Sequence, residues 1–298
     1  MTRFLRTALW LALLMAIGIL ARGREVGEKQ LAPREEANAG GAKAGETPGG
    51  AAVNSPAADR PVATEPSTAA VLIVTGIDYP GHKWRLTTPV LRQRLEEDSR
   101  LQVRVVEDPA FLESSALAAY DAIVLHFMNW ETPDPGPKAR ENLRKFVASG
   151  KGLVLVHFAC GAFQEWPEFR NLAGRVWDPN LRGHDPHGTF RVDVASPKHP
   201  IMQGMESFET VDELYTCLAG DRDIDLLATA TSKVDGKDYP MAFAFSYGRG
   251  RVFHSPLGHD AKAFESPMVG ELFRRGCAWA AGLSPVPESR NDAAPPGK

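Results

Sequence analysis

The residues best equipped for chemistry in this chain are histidines, and they fall in a few short stretches. Gly183-His184-Asp185-Pro186-His187-Gly188 sets two imidazoles three residues apart among turn formers. Imidazoles with carboxylates nearby suit a divalent metal such as Zn²⁺ or Mn²⁺. His184 and His187 are therefore the candidate metal ligands, with a surface loop that happens to carry histidine as the plain alternative. Val211-Asp212-Glu213-Leu214-Tyr215 places two acids before an apolar–aromatic pair. Glu213 has the chemistry of a general base or a ligand, or it is simply an acid at a helix start. Leu257-Gly258-His259-Asp260 follows an apolar run ending in His254. His259 reads as a site residue, and His254 as either a site residue or a core histidine. Gly150 to Gly161 reads as a strand that stops at His157, with Cys160 just beyond. A thiol on such a turn invites acyl transfer, but Phe158-Ala159-Cys160-Gly161-Ala162 lacks the first glycine of a Gly-x-Cys-x-Gly elbow. A packed thiol is the plainer reading.

These residues need elements to hold them. Ala70 to Gly76 is a short β-branched apolar run, the mark of a strand buried on both faces. A loop with Asp78, Gly81 and His82 follows. Thr87-Thr88-Pro89 then reads as a hydroxyl N-cap with Pro opening a helix. Further strands are expected at Leu101 to Val106, Asp121 to Phe127 and Gly152 to Phe158, with a helix from Gly136 to Ser149. Strands alternating with helices predict an α/β fold with a mostly parallel open sheet flanked by helices. Less regular strands are expected at Phe190 to Ala195, Leu226 to Ala230, Met241 to Tyr247 and Arg251 to Ser255, and a closing helix from Ser266 to Ala281. Ligands of open α/β sheets bind beyond the carboxyl ends of the strands. That edge collects His82, His126, Asn129, His157, Cys160, His254 and His259. The expected site uses His157, Glu213 and His259 for catalysis and His82, Asn129 and Tyr215 for substrate, with His184 and His187 for metal.

The rest of the chain sets limits. Of its 298 residues, 1–21 read as a signal peptide or N-terminal anchor: Arg3 and Arg6, then an apolar run from Ala8 to Leu20, then Ala21. That run is shorter than the ~20 residues a spanning helix needs, so any membrane contact is expected only through this segment if it stays uncleaved. Residues 22–68 are rich in Ala, Gly, Pro and Glu and read as a disordered linker, as does the tail 284–298. One domain, 69–283, remains. The expected location is periplasmic or extracellular. A net charge of −3 without a basic cluster makes nucleic acid a poor partner. Three cysteines argue against a disulfide framework. No nucleotide cofactor is expected, and a homo-oligomer stays open.

Taken in order, several stretches resemble the ThuA-like family, named for trehalose utilisation. They are Gly81-His82, Tyr120-Asp121, Lys151-Gly152 with His157-x-Ala159, Trp166-Pro167-Glu168-Phe169, His199-Pro200, Asp212-Glu213-Leu214-Tyr215, Gly248-Arg249-Gly250-Arg251-Val252-Phe253 and Leu257-Gly258-His259. The resemblance implies a fold similar to class I glutamine amidotransferases (a flavodoxin-like sheet) without their catalytic triad. It implies a role in carbohydrate metabolism, often beside enzymes that oxidise glycosides to keto-sugars. The chain departs from the pattern at Gly174-Arg175-Val176-Trp177, ahead of the His184/His187 pair. The leading expectation is an exported protein that acts on a small carbohydrate, a sugar or keto-sugar, by proton transfer with one divalent metal. The alternatives are a non-catalytic carbohydrate-binding or scaffold domain and, third, an amidase using Cys160.

Overall fold

The structure, a computed structural model, describes residues 67–287. The signal or anchor segment, nearly all of the linker and most of the tail lie outside the described residues. Among the described residues no helix is long and apolar enough to cross a membrane.

Nine strands form one sheet in the order β2-β1-β3-β4-β9-β8-β7-β5-β6. The first half is parallel. β1 (Ala69–Val74) lies between β2 (Leu101–Val106) and β3 (Ala122–Leu125), and β3 pairs with β4 (Gly152–Val156), which pairs with β9 (Gly250–Ser255). The second half is antiparallel: β9 with β8 (Asp238–Tyr247), β8 with β7 (Asp225–Thr231), β7 with β5 (Gly188–Val194), and β5 with β6 (Phe208–Asp212).

The expectation of a mostly parallel sheet is therefore corrected to a mixed one. For the β7–β8 and β8–β9 pairs the reason is the short chain between strands. A parallel pair needs a crossover of about a dozen residues or more, whereas antiparallel strands join through a tight hairpin. β8 and β9 are joined at Gly248-Arg249, with Tyr247 opposite Gly250. A glycine turn between two apolar runs carried that hairpin signal. β6 was not anticipated at all, since Phe208 to Asp212 is a short edge strand with few apolar residues.

The parallel half has the buried character that its apolar runs suggest. Val71 and Ile73 join one core cluster with Leu91, Leu95, Leu272 and Phe273, on the side of α1 (Trp84–Glu96) and α5 (Pro267–Ala280). Leu72 and Val74 join the other with Leu143, Phe146 and Phe169, under α2 (Pro137–Ala148) and α3 (Glu168–Ala173). With both faces covered, every residue of β3 and β4 is buried. A short α4 (Ala261–Glu265) precedes α5.

Two local expectations change. α1 starts at Trp84, so Thr87-Thr88-Pro89 sits inside it rather than capping it. Pro89 lies past the first turn, so it supplies no N–H to the Arg85 carbonyl. The buried Thr88 hydroxyl instead lies 2.9 Å from Nδ1 of His126. Glu213 starts no helix: it follows β6 directly.

Candidate functional site

Register explains how the site is assembled. β4 and β9 are parallel neighbours with Val156 opposite Ser255. The next residues, His157 and Pro256, therefore leave the sheet side by side, and Nδ1 of His157 lies 2.7 Å from the Pro256 carbonyl. A carbonyl only accepts, so Nδ1 carries the proton and Nε2 presents a lone pair. His157 adopts φ 46, a left-handed conformation that costs a non-glycine residue about 1 kcal/mol or more. The strained turn holds the ring, itself fully buried, against the Pro256 carbonyl and the His82 ring.

Three other side chains meet it. His82 comes from the loop after β1, where its backbone N–H donates to Tyr79 O at 2.9 Å. Its Nε2 lies 3.2 Å from His157 Nε2. Glu213, just past β6, brings Oε2 within 3.6 Å of His157 Nε2. His259, in the loop after β9, places Nδ1 3.1 Å from that same oxygen. One ligand atom from each of His82, His157, Glu213 and His259 lies within 4.8 Å of the others. Asp212 holds the two loops together. Its carboxylate accepts from the backbone N–H groups of Gly258 at 2.7 Å, His259 at 3.1 Å and Glu213 at 2.8 Å. Burial pushes the Asp212 carboxyl up, against the pull of His157 and those three donors.

The donor set fits a divalent ion. Tetrahedral coordination with ~2.1 Å bonds sets neighbouring donors ~3.4 Å apart, and the 3.2, 3.6 and 3.1 Å separations fall around that figure. Nδ1 of His259 is buried and makes no aligned hydrogen bond despite its closeness to Glu213. The ionisation states agree with ligand roles. Burial, followed by the neighbouring His157 and His259, pushes His82 down to about 2. It is thus neutral with a lone pair available. Burial alone would raise Glu213, but His157 and His259 outweigh it and hold the carboxyl well below its usual range. The fixed tautomer of His157 is the outer-sphere arrangement common around metal-binding imidazoles.

The other expected residues surround this group. His184 Nδ1 lies 2.7 Å from Asp185 O, which fixes its proton there, and 3.7 Å from Glu213 Oε1. His187 Nε2 is 3.6 Å from Asp260, with its ring 5.4 Å from that of His259. Both are more than a third exposed and stand at the mouth, outside the four-residue group. Tyr215 is buried, its ring 4.3 Å from His157. Asn129 accepts from the backbone N–H of Phe163 at 2.9 Å and so braces the turn after β4.

Three residues at the expected sheet edge stay outside this group. His126 is fully buried between Thr88 and Thr87, at 2.9 and 3.4 Å. His254 is fully buried and donates from Nδ1 to Ala173 O at 2.9 Å. Cys160 is buried, and desolvation pushes its thiol up to about 12, which removes the thiolate that acyl transfer needs. The sequence reading missed Trp130 and Trp177. Their rings lie 5.6 Å apart, and Trp177 packs on Tyr215 at 5.2 Å, walling the mouth. The signal available was only an aromatic in each connecting loop.

Solved structures with this fold include a ThuA-like protein from Parabacteroides merdae. It is 26% identical over 72% of this chain and 90% of that one, with a TM-score of 0.62. A second, from Bacteroides uniformis, is 18% identical, covers 75% and 96%, and has a TM-score of 0.59. A protein of Salmonella typhimurium LT2, named a cytoplasmic protein, is 15% identical over 71% and 99%, at 0.51. The last two show the fold alone. No curated protein matches the chain. The family model described as trehalose utilisation matches residues 70–280, the whole sheet with its histidine cluster. The chain therefore belongs to the ThuA family.

Proposed function

We propose that this protein acts on a sugar or keto-sugar by moving a proton next to a carbonyl, at a site completed by one divalent metal. Membership of the trehalose-utilisation family supports the carbohydrate class. The observation that carries the chemistry is the convergence of three imidazoles and one carboxylate within 4.8 Å. His82, His157, His259 and Glu213 would hold the ion, which supplies Lewis acidity toward a ketone oxygen.

The residues around it have separate tasks. His184 stands at the mouth with its proton fixed on Nδ1 by Asp185 O. Its Nε2 lone pair accepts the proton from the carbon beside the carbonyl and returns it to the same or the neighbouring atom. The charge that His184 gains faces Glu213 Oε1 at 3.7 Å. This exchanges the roles that sequence suggested, with Glu213 moving to the metal and His184 to the proton. Tyr215 and Trp177 wall the site against water, which strengthens each charge interaction inside it. Delivery outside the cytoplasm is part of the proposal, supported by the apolar run from Ala8 to Leu20.

Solvent deuterium exchange into a 3-ketoglucoside, followed by NMR, tests the reaction. The protein loaded with Zn²⁺ or Mn²⁺ should exchange the hydrogen next to the ketone, and His184→Ala should exchange at least tenfold more slowly. Absence of exchange by the loaded protein overturns the reading.

A further inference from the structure

Beside the histidine cluster lies a cleft of about 590 Å³ that the proton-transfer chemistry does not use. Phe163, Trp166, Phe169, Arg170, Trp177 and Asp178 line it. It falls within the ~300–1,000 Å³ range of small-molecule sites. Trp177 borders both: this half-buried ring lines the cleft and also packs 5.2 Å from Tyr215, which lies 4.3 Å from His157. The wall is fixed. Trp177 N–H donates to Cys160 O at 3.1 Å, and its ring occupies the space over Gly183, where a Cβ would come within 1.8 Å of it. Trp166 is held across from it, stacked on Phe169 with ring centroids 6.1 Å apart.

The polar lining is unmatched. Arg170 makes no side-chain hydrogen bond or ion pair with any described residue, and neither does the Gln164 carboxamide. Asp178 uses Oδ1 for the Asn180 backbone and side chain, at 2.9 and 3.0 Å, and Oδ2 has no hydrogen-bond partner among the described residues. One cationic and one anionic side chain balance, so the lining selects neither an anion nor a cation. Flat aromatic faces with planar bidentate donors and acceptors match a pyranose ring. Its C–H face lies on indole, and its adjacent hydroxyls pair with guanidinium, carboxamide and carboxylate.

We propose that this cleft is a second carbohydrate subsite, taking the neighbouring ring of a glycoside whose reacting ring reaches the histidine cluster. The assignment rests on the carbohydrate reading above. It makes Trp177 the shared wall of the two subsites, and it makes Arg170 and Asp178 the residues that select for the second ring.

Calorimetry on the full chain with methyl α-glucoside, maltose, cellobiose and trehalose tests it, with metal content measured on the same samples. At least one disaccharide should bind tenfold or more tightly than the methyl glucoside. Arg170→Ala/Asp178→Asn should bring that disaccharide to the methyl glucoside level, with melting temperature and metal content unchanged. Equal affinities in the wild type, no binding of any of the four, or a preference that survives the double substitution overturns the subsite. Disaccharide preference in a chain that holds no metal supports the subsite while overturning the metal-assisted reaction. Deuterium exchange without such a preference overturns the subsite alone.

Discussion

Two groups of buried histidines in this molecule look alike in sequence and differ in what their nitrogens face. His126 and His254 sit at or near strand ends, fully buried, and point into the protein. One lies between threonine hydroxyls, the other on a backbone carbonyl with its second nitrogen buried and unpartnered. His82, His157 and His259 turn nitrogens toward one another and toward Glu213. Rings that would repel if charged gain nothing by meeting in an apolar core. The first group makes its hydrogen bonds within the core, and the proposed function gives the second a ligand to hold. What separates them is the turn. His157 leaves β4 in a left-handed conformation, whereas neither His126 nor His254 has a positive φ.

The comparison breaks most visibly on substitution within the cluster. Glu213→Gln should lower the deuterium-exchange rate by ~10²-fold or more, the scale of losing a charged group at a reacting centre, with far-UV circular dichroism unchanged. A rate within tenfold of wild type would place Glu213 among the structural residues. His126→Ala is the converse. It should cost ~2–4 kcal/mol in urea unfolding, since it empties a packed site and takes one partner from each of two threonine hydroxyls, and should leave metal content intact.

Acid sharpens the same contrast. Burial pushes His126 down to about 3 and His254 to about 4. Both are neutral in the folded chain and take up protons on unfolding below ~6.5. The unfolded state then binds more protons, so the stability they allow is complete above ~6.5 and is lost as pH falls toward the folded values. Each should account for about 2 kcal/mol of lost stability by pH 5. Urea unfolding of His254→Phe should show a shallower loss between pH 7 and pH 5 than wild type, and parallel curves would refute the assignment. The smallest effect is expected at Cys160. Its thiol is buried and pushed up to about 12, so iodoacetamide on the native protein should leave exchange unchanged within twofold, against the complete loss an amidase reading requires.

Much of this was legible in the sequence, for identifiable reasons. The apolar runs Ala70 to Gly76 and Gly152 to Phe158 marked the doubly covered strands, and strand-end logic placed His82, His157 and His259 together. That logic does not distinguish side chains that meet one another from those that do not, so His126 and His254 looked equivalent to His157. β6 escaped notice because an edge strand needs little apolar patterning, and with it went the reason why Glu213 reaches the cluster. Asp212 ties that strand to the loop after β9 through two backbone donors, Gly258 and His259. No pattern local to residues 208–213 reports a contact with residues 258 and 259. The His184/His187 pair was legible as two histidines in a turn but not as neighbours of a separate four-residue cluster.

The central claim is that the four converging residues hold one metal ion. Zn²⁺ and Mn²⁺ titration of the chelator-stripped protein, read by calorimetry and elemental analysis, tests it most directly. The account predicts one ion per chain in the wild type, at least ~100-fold weaker binding in His157→Ala and in His82→Ala, and no change in His254→Phe. A wild-type chain that binds neither ion, or one whose binding survives loss of both His82 and His157, would contradict it.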